Sequence, residues 1–295
     1  MSVAKFYPFN GERGRLRLGL KPIELSEWLQ FESDLTARIE QKKQLVISEA
    51  ERVLCALPDS IAAQQEYLDV LLTHIKQFHS SIYEIAGESV ISKKDSSNYM
   101  YSDYQSNPLE LASYLIGDDI CLLEEESGDY KLVAASVCAP TWWDLPEKMG
   151  KPLASIHAPI KNLEEKIGQM IRHFMKNLKV NDCYQRANWF LFTRPELCIF
   201  PNSFDFNTDM SNVNIDNIES NLFLRSERQT FRRLPTTNHI AFGIKVYVDS
   251  IRIVKQHPEI KEDLICALDT MGAEQKNDLG VSFVERPLRE YLQTV

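Results

Sequence analysis

Residues 119–123 and 130–138 are two apolar, β-rich runs separated by Glu-Glu-Glu-Ser-Gly-Asp. A short polar interval with a glycine between such runs reads as a hairpin turn. The strands it joins are then antiparallel neighbours, since a parallel pair needs a crossover of about a dozen residues or more. Three further strand-like segments follow. Residues 188–193 (Asn-Trp-Phe-Leu-Phe-Thr) suit a buried strand, residues 223–232 are a candidate, and residues 239–248 alternate well enough for another. Strands grouped in this way, without βαβ alternation, indicate an α+β chain on an antiparallel sheet of about five strands, with added N- and C-terminal helices.

The first hundred residues have a helical period. Trp28, Leu29, Leu35, Ile39, Leu45, Ile47 and Val53 recur at helical spacing over 26–57, with Ser26 as a candidate cap. Pro58-Asp-Ser breaks that stretch, and a second helix is expected over 60–86, with Tyr67, Leu71, His74, Ile75 and Phe78 near one face. Residues 1–22 read as irregular, with a short edge strand at 16–20. Residues 87–105 are polar and read as a long loop or linker. A short helix is expected over 108–115, a longer one over 161–178, loop over 199–220, and helix from 249 to 294 interrupted at Pro258 and Gly280. The expected organisation is a helical N-terminal region, 1–105, packed on a core domain, 106–295, as one integrated unit.

Charge and motifs exclude several functions. The formal net charge is -9 over 295 residues and the pI about 5.3. That argues against a general nucleic-acid surface and against a polybasic membrane anchor. The N-terminus lacks a signal-peptide apolar region, and no stretch approaches the ~20 apolar residues of a membrane span. A cytoplasmic location is expected. The six cysteines include no Cys-x-x-Cys pair and read as reduced, mostly buried thiols. Gly-x-Gly-x-x-Gly, Walker-type and Gly-x-Ser-x-Gly motifs are absent from the sequence, so neither a usual nucleotide site nor a hydrolase is indicated.

Two dense segments carry the chemistry. Residues 138–159 place His157 between Pro152 and Pro159 in an apolar, aromatic setting with Trp142, Trp143 and Lys148. Residues 224–237 carry Arg225, Glu227, Arg228, Gln229, Thr230, Arg232 and Arg233. His157 suits a metal ligand, though its position alone favours a structural histidine at a tight crossing. As a strand, the second segment points Arg225, Glu227 and Gln229 one way, and Ser226, Arg228, Thr230 and Arg232 the other. Such charges form either a surface ion-pair network or, if buried, a set paired with one another or with an anion. A soft ligand on one side and a cationic cluster on the other suit a flat, anionic, metal-bearing cofactor; haem meets that description. His74, His79, His173, His239 and His257 rank below His157, as surface, turn or helix-end residues.

Both segments resemble the haem-dependent oxidative N-demethylase alpha-subunit family. The resemblance extends over most of the chain: Leu18-Gly-Leu20, Glu27-Trp28, Pro108-Leu with Asp119-Ile-Cys-Leu-Leu, the Trp143-to-His157 segment, Arg186-x-Asn188-Trp189, Glu227-Arg-Gln-Thr230, Arg233-Leu-Pro and Ile240-x-Phe-x-Ile-x-x-Tyr247. The Lys148-x-Gly150 to Ile156-His157 spacing and the Arg-Gln-Thr stretch are its specific parts. The sequence departs from the family at Ala139-Pro-Thr141, Pro159-Ile-Lys161 and Thr237-Asn-His239, which bears on the substrate more than on haem binding.

The resemblance implies a haem-binding PAS-like domain and oxidation of a small amine such as dimethylamine by dioxygen. The cofactor would be haem b, with electrons from reductase partners that carry flavin and an iron–sulfur centre. His157 would be the axial iron ligand. Arg225, Glu227, Arg228 and Thr230 would form the polar catalytic pocket, and Lys148, Arg232 and Arg233 would meet the propionates. The chain itself shows no flavin, nicotinamide or cluster motif, so an oxygen-activating role needs electrons from elsewhere. Two other roles fit the same residues: a non-catalytic haem-binding PAS gas or redox sensor, and a scaffold that keeps the fold without haem.

Overall fold

The computed structural model describes residues 19–157 and 168–295, except for the His157 side chain. The edge strand expected over 16–20 and the first turns of the helix expected over 161–178 fall largely outside the described residues.

The strands are β1 (Lys21–Ile23), β2 (Leu54–Ala56), β3 (Tyr83–Ala86), β4 (Ser89–Ser92), β5 (Asn98–Met100), β6 (Asp119–Glu126), β7 (Asp129–Ser136), β8 (Cys183–Phe192), β9 (Phe223–Arg233) and β10 (Ile240–Ser250). Among the described residues, seven of them form one sheet in the order β1-β8-β9-β10-β6-β7-β2, antiparallel throughout. The five long strands are those expected. The two more, β1 and β2, are three-residue edge strands from the N-terminal region, too short to carry a period of two. The β6–β7 hairpin turns through Ser127 and Gly128, both left-handed with φ of 55° and 84°. Two left-handed residues match the right-handed twist of the flanking strands.

The helices are α1 (Leu35–Val53), α2 (Ile61–Phe78), α3 (Pro108–Leu115), α4 (Leu153–His157), α5 (Gln169–Asn177), α6 (Phe206–Ser211), α7 (Ile218–Asn221), α8 (Ile253–Gln256), α9 (Pro258–Thr270), α10 (Ala273–Asp278) and α11 (Val281–Thr294). The first expected helix starts at Leu35 rather than Ser26, and the reason is specific. The carbonyls of Glu27 and Trp28 accept from Arg228 at 2.5 and 3.0 Å, and that of Gln30 accepts from Lys245. These bonds hold the segment around the short 3-10 turn Leu25–Glu27 against the sheet, in place of a regular helix. The second helix ends at Phe78. The end of the stretch expected as that helix forms β3 instead, and the segment read as a linker forms β4 and β5; the three make a separate three-stranded antiparallel sheet. Its strands of three or four residues leave little alternation to detect.

Side chains alternate across the sheet, so each strand serves two layers. On one face, Cys183, Ala241, Ile120 and Leu122 pack with Trp28, Leu71, Ile75 and Leu109 of the N-terminal layer. Toward the far end of that face Trp189, Leu191 and Leu224 pack with the helices α6 to α11. On the opposite face, Cys121, Phe231 and Phe242 pack with Leu153 and Ile156 of α4 and with Phe174 and Met175 of the α5 region. The helix that ends at His157 thus covers the second face.

Candidate functional site

Strand register places the site residues in rows on the α4 face. Tyr184, Phe231, Phe242 and Cys121 lie opposite one another across β8, β9, β10 and β6. One step along comes Arg186, Gln229, Ile244 and Asp119, then Asn188 and Glu227, then Phe190 and Arg225. The face therefore grades from an apolar platform to a polar end. Phe231 and Phe242 stack with ring centroids 4.8 Å apart and 20° between planes. Phe174 meets Phe231 edge-on at 5.6 Å. Beside the platform, a cleft of about 900 Å³ runs between α5 and the β1–β8 edge, lined by Phe174, Tyr184 and Lys21.

Arg225 organises the polar end. Its side chain is wholly buried. Its guanidinium donates to the carbonyls of Ala139, Pro140, Glu196 and Leu197 and, through Nε, to Thr141 Oγ1 at 2.7 Å. Burial pushes its pKa down to about 10, against the pull of Glu227 and Asp119. Asp119 holds the same loop from the other side, accepting from the amides of Cys138 and Ala139 at 2.9 Å each. Burial drives its carboxyl up, opposed by Lys42, these two amides and Arg225. Residues 138–141 are thus clamped between a buried carboxylate and a buried guanidinium.

The clamp aims Thr141 at Glu227. Because Thr141 Oγ1 accepts from Arg225, its hydroxyl hydrogen is left to donate, and it does so to Glu227 Oε1 at 2.8 Å. Gln229 Nε2 donates to Glu227 Oε2 at 2.9 Å. Both carboxylate oxygens are oriented, and each keeps acceptor capacity. Arg186 stands beside this pair. Burial lowers its pKa while Glu227 raises it, and its Nε is buried without an acceptor among the described residues.

Of the residues expected to form the site, Arg225 and Glu227 meet on this face. Arg228 and Thr230 are on the other. Arg228 donates to Gln185 at 2.8 Å and to the Glu27 and Trp28 carbonyls, tying the N-terminal segment to β9. Thr230 is fully buried there, its Oγ1 without a partner among the described residues and facing Gly243. Arg232 also lies on that face, its guanidinium 4.4 Å from the Trp28 ring centroid. Arg233 remains on the α4 face, but its guanidinium is spent on the carbonyls of Met175, Leu178 and Asn238. Lys148 is half-buried in the turn before α4. His157 ends α4, and its side chain lies outside the described residues. Arg186, Asn188 and Gln229 belong to the site without having been singled out as site residues. Period-two reading of β8 from Tyr184 would have found the first two. Among the described residues no three His, Cys, Asp or Glu side chains are grouped to hold a metal ion, and no helix is long and apolar enough to cross a membrane.

The arrangement fits a haem-like group in kind. It has a stacked aromatic platform, a guanidinium whose buried Nε has no acceptor among the described residues, and a covering helix that ends on a histidine. The family described as haem-dependent oxidative N-demethylase, alpha subunit-like, matches residues 19–285.

Proposed function

The chain belongs to the haem-dependent oxidative N-demethylase alpha-subunit-like family, and from that premise we propose that it N-demethylates a small alkylamine. In the overall change, one N-methylamine, one dioxygen, two electrons and two protons would give the amine shortened by a methyl group, one formaldehyde and one water. The electrons would come from a reductase partner bearing flavin and an iron–sulfur centre, consistent with an alpha-subunit-like chain that has no such motif of its own. The large antiparallel sheet would serve as a PAS-like haem-binding domain, the protein working in the cytoplasm.

The observation that carries this reading is Glu227: a carboxylate, less than a tenth exposed, held from both sides by Thr141 and Gln229 on the face that α4 covers. Haem b, when bound, would supply dioxygen activation. His157 would be its iron ligand, the Phe231–Phe242 stack would pack on it, and Arg186 would pair with a propionate. Lys148 is a further propionate partner. Arg232 and Arg233 are weaker ones, since one faces the N-terminal layer and the other is already bonded to three carbonyls.

The chain's own residues perform the remaining work. Alkylamines are cationic at neutral pH, and Glu227 would accept a hydrogen bond from the ammonium N–H and offset its charge. Thr141 and Gln229 fix the carboxylate so that the amine carbon is presented in one orientation. Arg225 acts through Thr141 and is a positioning residue. Arg228 and Thr230 contribute by holding β9 against the N-terminal layer.

The test is a visible spectrum of the chain expressed with haem supply, oxidised and dithionite-reduced, beside His157→Ala. A Soret band that shifts on reduction and is lost or altered in the variant is expected, with a further change on adding dimethylammonium. Formaldehyde release with a reductase system then establishes turnover. A colourless wild type that cannot be reconstituted would sink the proposal.

A further inference from the structure

Beyond Glu227, the same sheet face continues into a second pocket of about 420 Å³, whose walls include Thr141, Trp142, Phe190, Phe206, Phe283 and Asp278. Phe190 is the next α4-face residue of β8 after Asn188, so this pocket adjoins the carboxylate site along the strand. Thr141 belongs to both: it lines the pocket and donates to Glu227.

The aromatic rings are not simply core. Trp142 is 38 % exposed, and Phe190, Phe206 and Phe283 are only partly buried. Trp142 has a left-handed backbone with φ of 56°. Its amide is held by the Ile199 carbonyl at 2.9 Å, which keeps the indole at the pocket. A bulky residue held in that region, partly packed on Phe192, Phe204 and Phe206 and still 38 % exposed, points to a constraint beyond packing. The rings meet at varied angles: Trp142 lies 4.4 Å from Phe206 and 5.9 Å from Phe192, and Phe206 lies 5.6 Å from Phe283. Trp142, Phe190, Phe192, Phe206 and Phe283 together give the cavity a largely aromatic wall. The same cluster already hosts a cation, for Arg194 sits 4.9 Å over Phe204, which stacks on Trp142.

We propose that this pocket is an aromatic vestibule that binds a small alkylammonium cation before it reaches Glu227. Aromatic faces attract compact organic cations most strongly where water is excluded, tryptophan more than phenylalanine. Asp278 adds a carboxylate to the wall, and the chain's net charge of -9 favours cations over anions at the surface. Thr141 marks the passage from the rings to the carboxylate. This inference rests on the amine reading above in its choice of ligand, but not on haem.

The experiment is a titration of the full haem-supplied chain with tetramethylammonium chloride, read by tryptophan fluorescence at constant ionic strength. Saturable quenching is expected. It should vanish in Trp142→Phe, which removes the reporter, weaken about five- to thirtyfold in Phe206→Leu, and weaken less in Asp278→Asn. Phe283→Leu gives an independent wall variant should Phe206→Leu not fold. Glu227→Gln should leave this binding unchanged. Absence of saturable binding would overturn the proposal. So would equal binding of the neutral tert-butyl alcohol, or loss in Glu227→Gln with retention in both phenylalanine variants. Binding retained in a chain without a Soret band would sink only the haem reading.

Discussion

Thr141 Oγ1 donates to Glu227 across 2.8 Å, and its polarity is set by Arg225, which donates to the same oxygen across 2.7 Å. One hydroxyl therefore transmits the position of a buried guanidinium to the carboxylate proposed to hold the amine. Thr141→Val keeps the shape but removes both bonds. The carboxylate would lose its anchor, and Arg225 Nε its acceptor. We expect the KM for the amine to rise more than kcat falls, with about 1–3 kcal/mol of lost stability from the unpaired buried donor. Thr141→Ser should restore both. Amine kinetics and chemical denaturation on the same three proteins check this.

Arg225 should be the most sensitive single residue of the site to remove. It is wholly buried and ties together segments 139–141 and 196–197. Arg225→Met leaves Asp119 with Lys42 as its remaining neighbouring cation and strips several carbonyls inside the protein of their donor. Losing one partner of a buried charged network costs about 3–5 kcal/mol. Urea unfolding should show the fall, and a variant within about 1 kcal/mol of wild type would refute the clamp.

Thr230 and Gly243 test which face of β9 is which. A Cβ at Gly243 would lie 2.7 Å from Thr230 Oγ1, too close for any real contact. Gly243→Ala should therefore destabilise by about 1–3 kcal/mol through overpacking. Thr230→Ala should relieve much of that penalty in the double variant, a coupling that only touching residues show. Thr230→Ala alone should leave a haem spectrum unmoved, since Thr230 faces the N-terminal layer. A shifted Soret band would place it at the cofactor instead.

How much of this was legible in the chain follows from the length of each signal. The β6–β7 hairpin was readable as two apolar, β-rich runs about a glycine turn, and β10 from its alternation over eleven residues. The division of Arg225 and Glu227 from Arg228 and Thr230 follows from the same period. The start of α1 was not readable, because Lys245 and Arg228 reach the carbonyls of Glu27, Trp28 and Gln30 over some two hundred positions. Thr141 was equally hidden. Nothing local to Pro140-Thr-Trp says that a strand residue eighty-odd positions later will bond it.

His74 gives the chain an acid-sensitive joint. Its Nε2 lies 3.2 Å from His79 Nε2, and its ring packs against Trp28 and Phe78. Burial, then the charges of His79 and Arg232, push its pKa down to about 3, and burial lowers that of His79 as well. The folded state thus holds these rings neutral, while the unfolded chain protonates them near pH 6.5. Between about 6.5 and 3 the unfolded state binds more protons, so stability rises with pH across that window and falls as it is acidified. One unmatched proton gives a slope of about 1.4 kcal/mol per pH unit. His74→Phe removes that proton, and its unfolding free energy should fall less steeply than wild type between pH 6 and 4. Because His74 packs on Trp28, whose carbonyl holds Arg228, the acid response should include release of the N-terminal segment from the sheet. Parallel slopes in the two proteins would show that the histidine pair does not govern it.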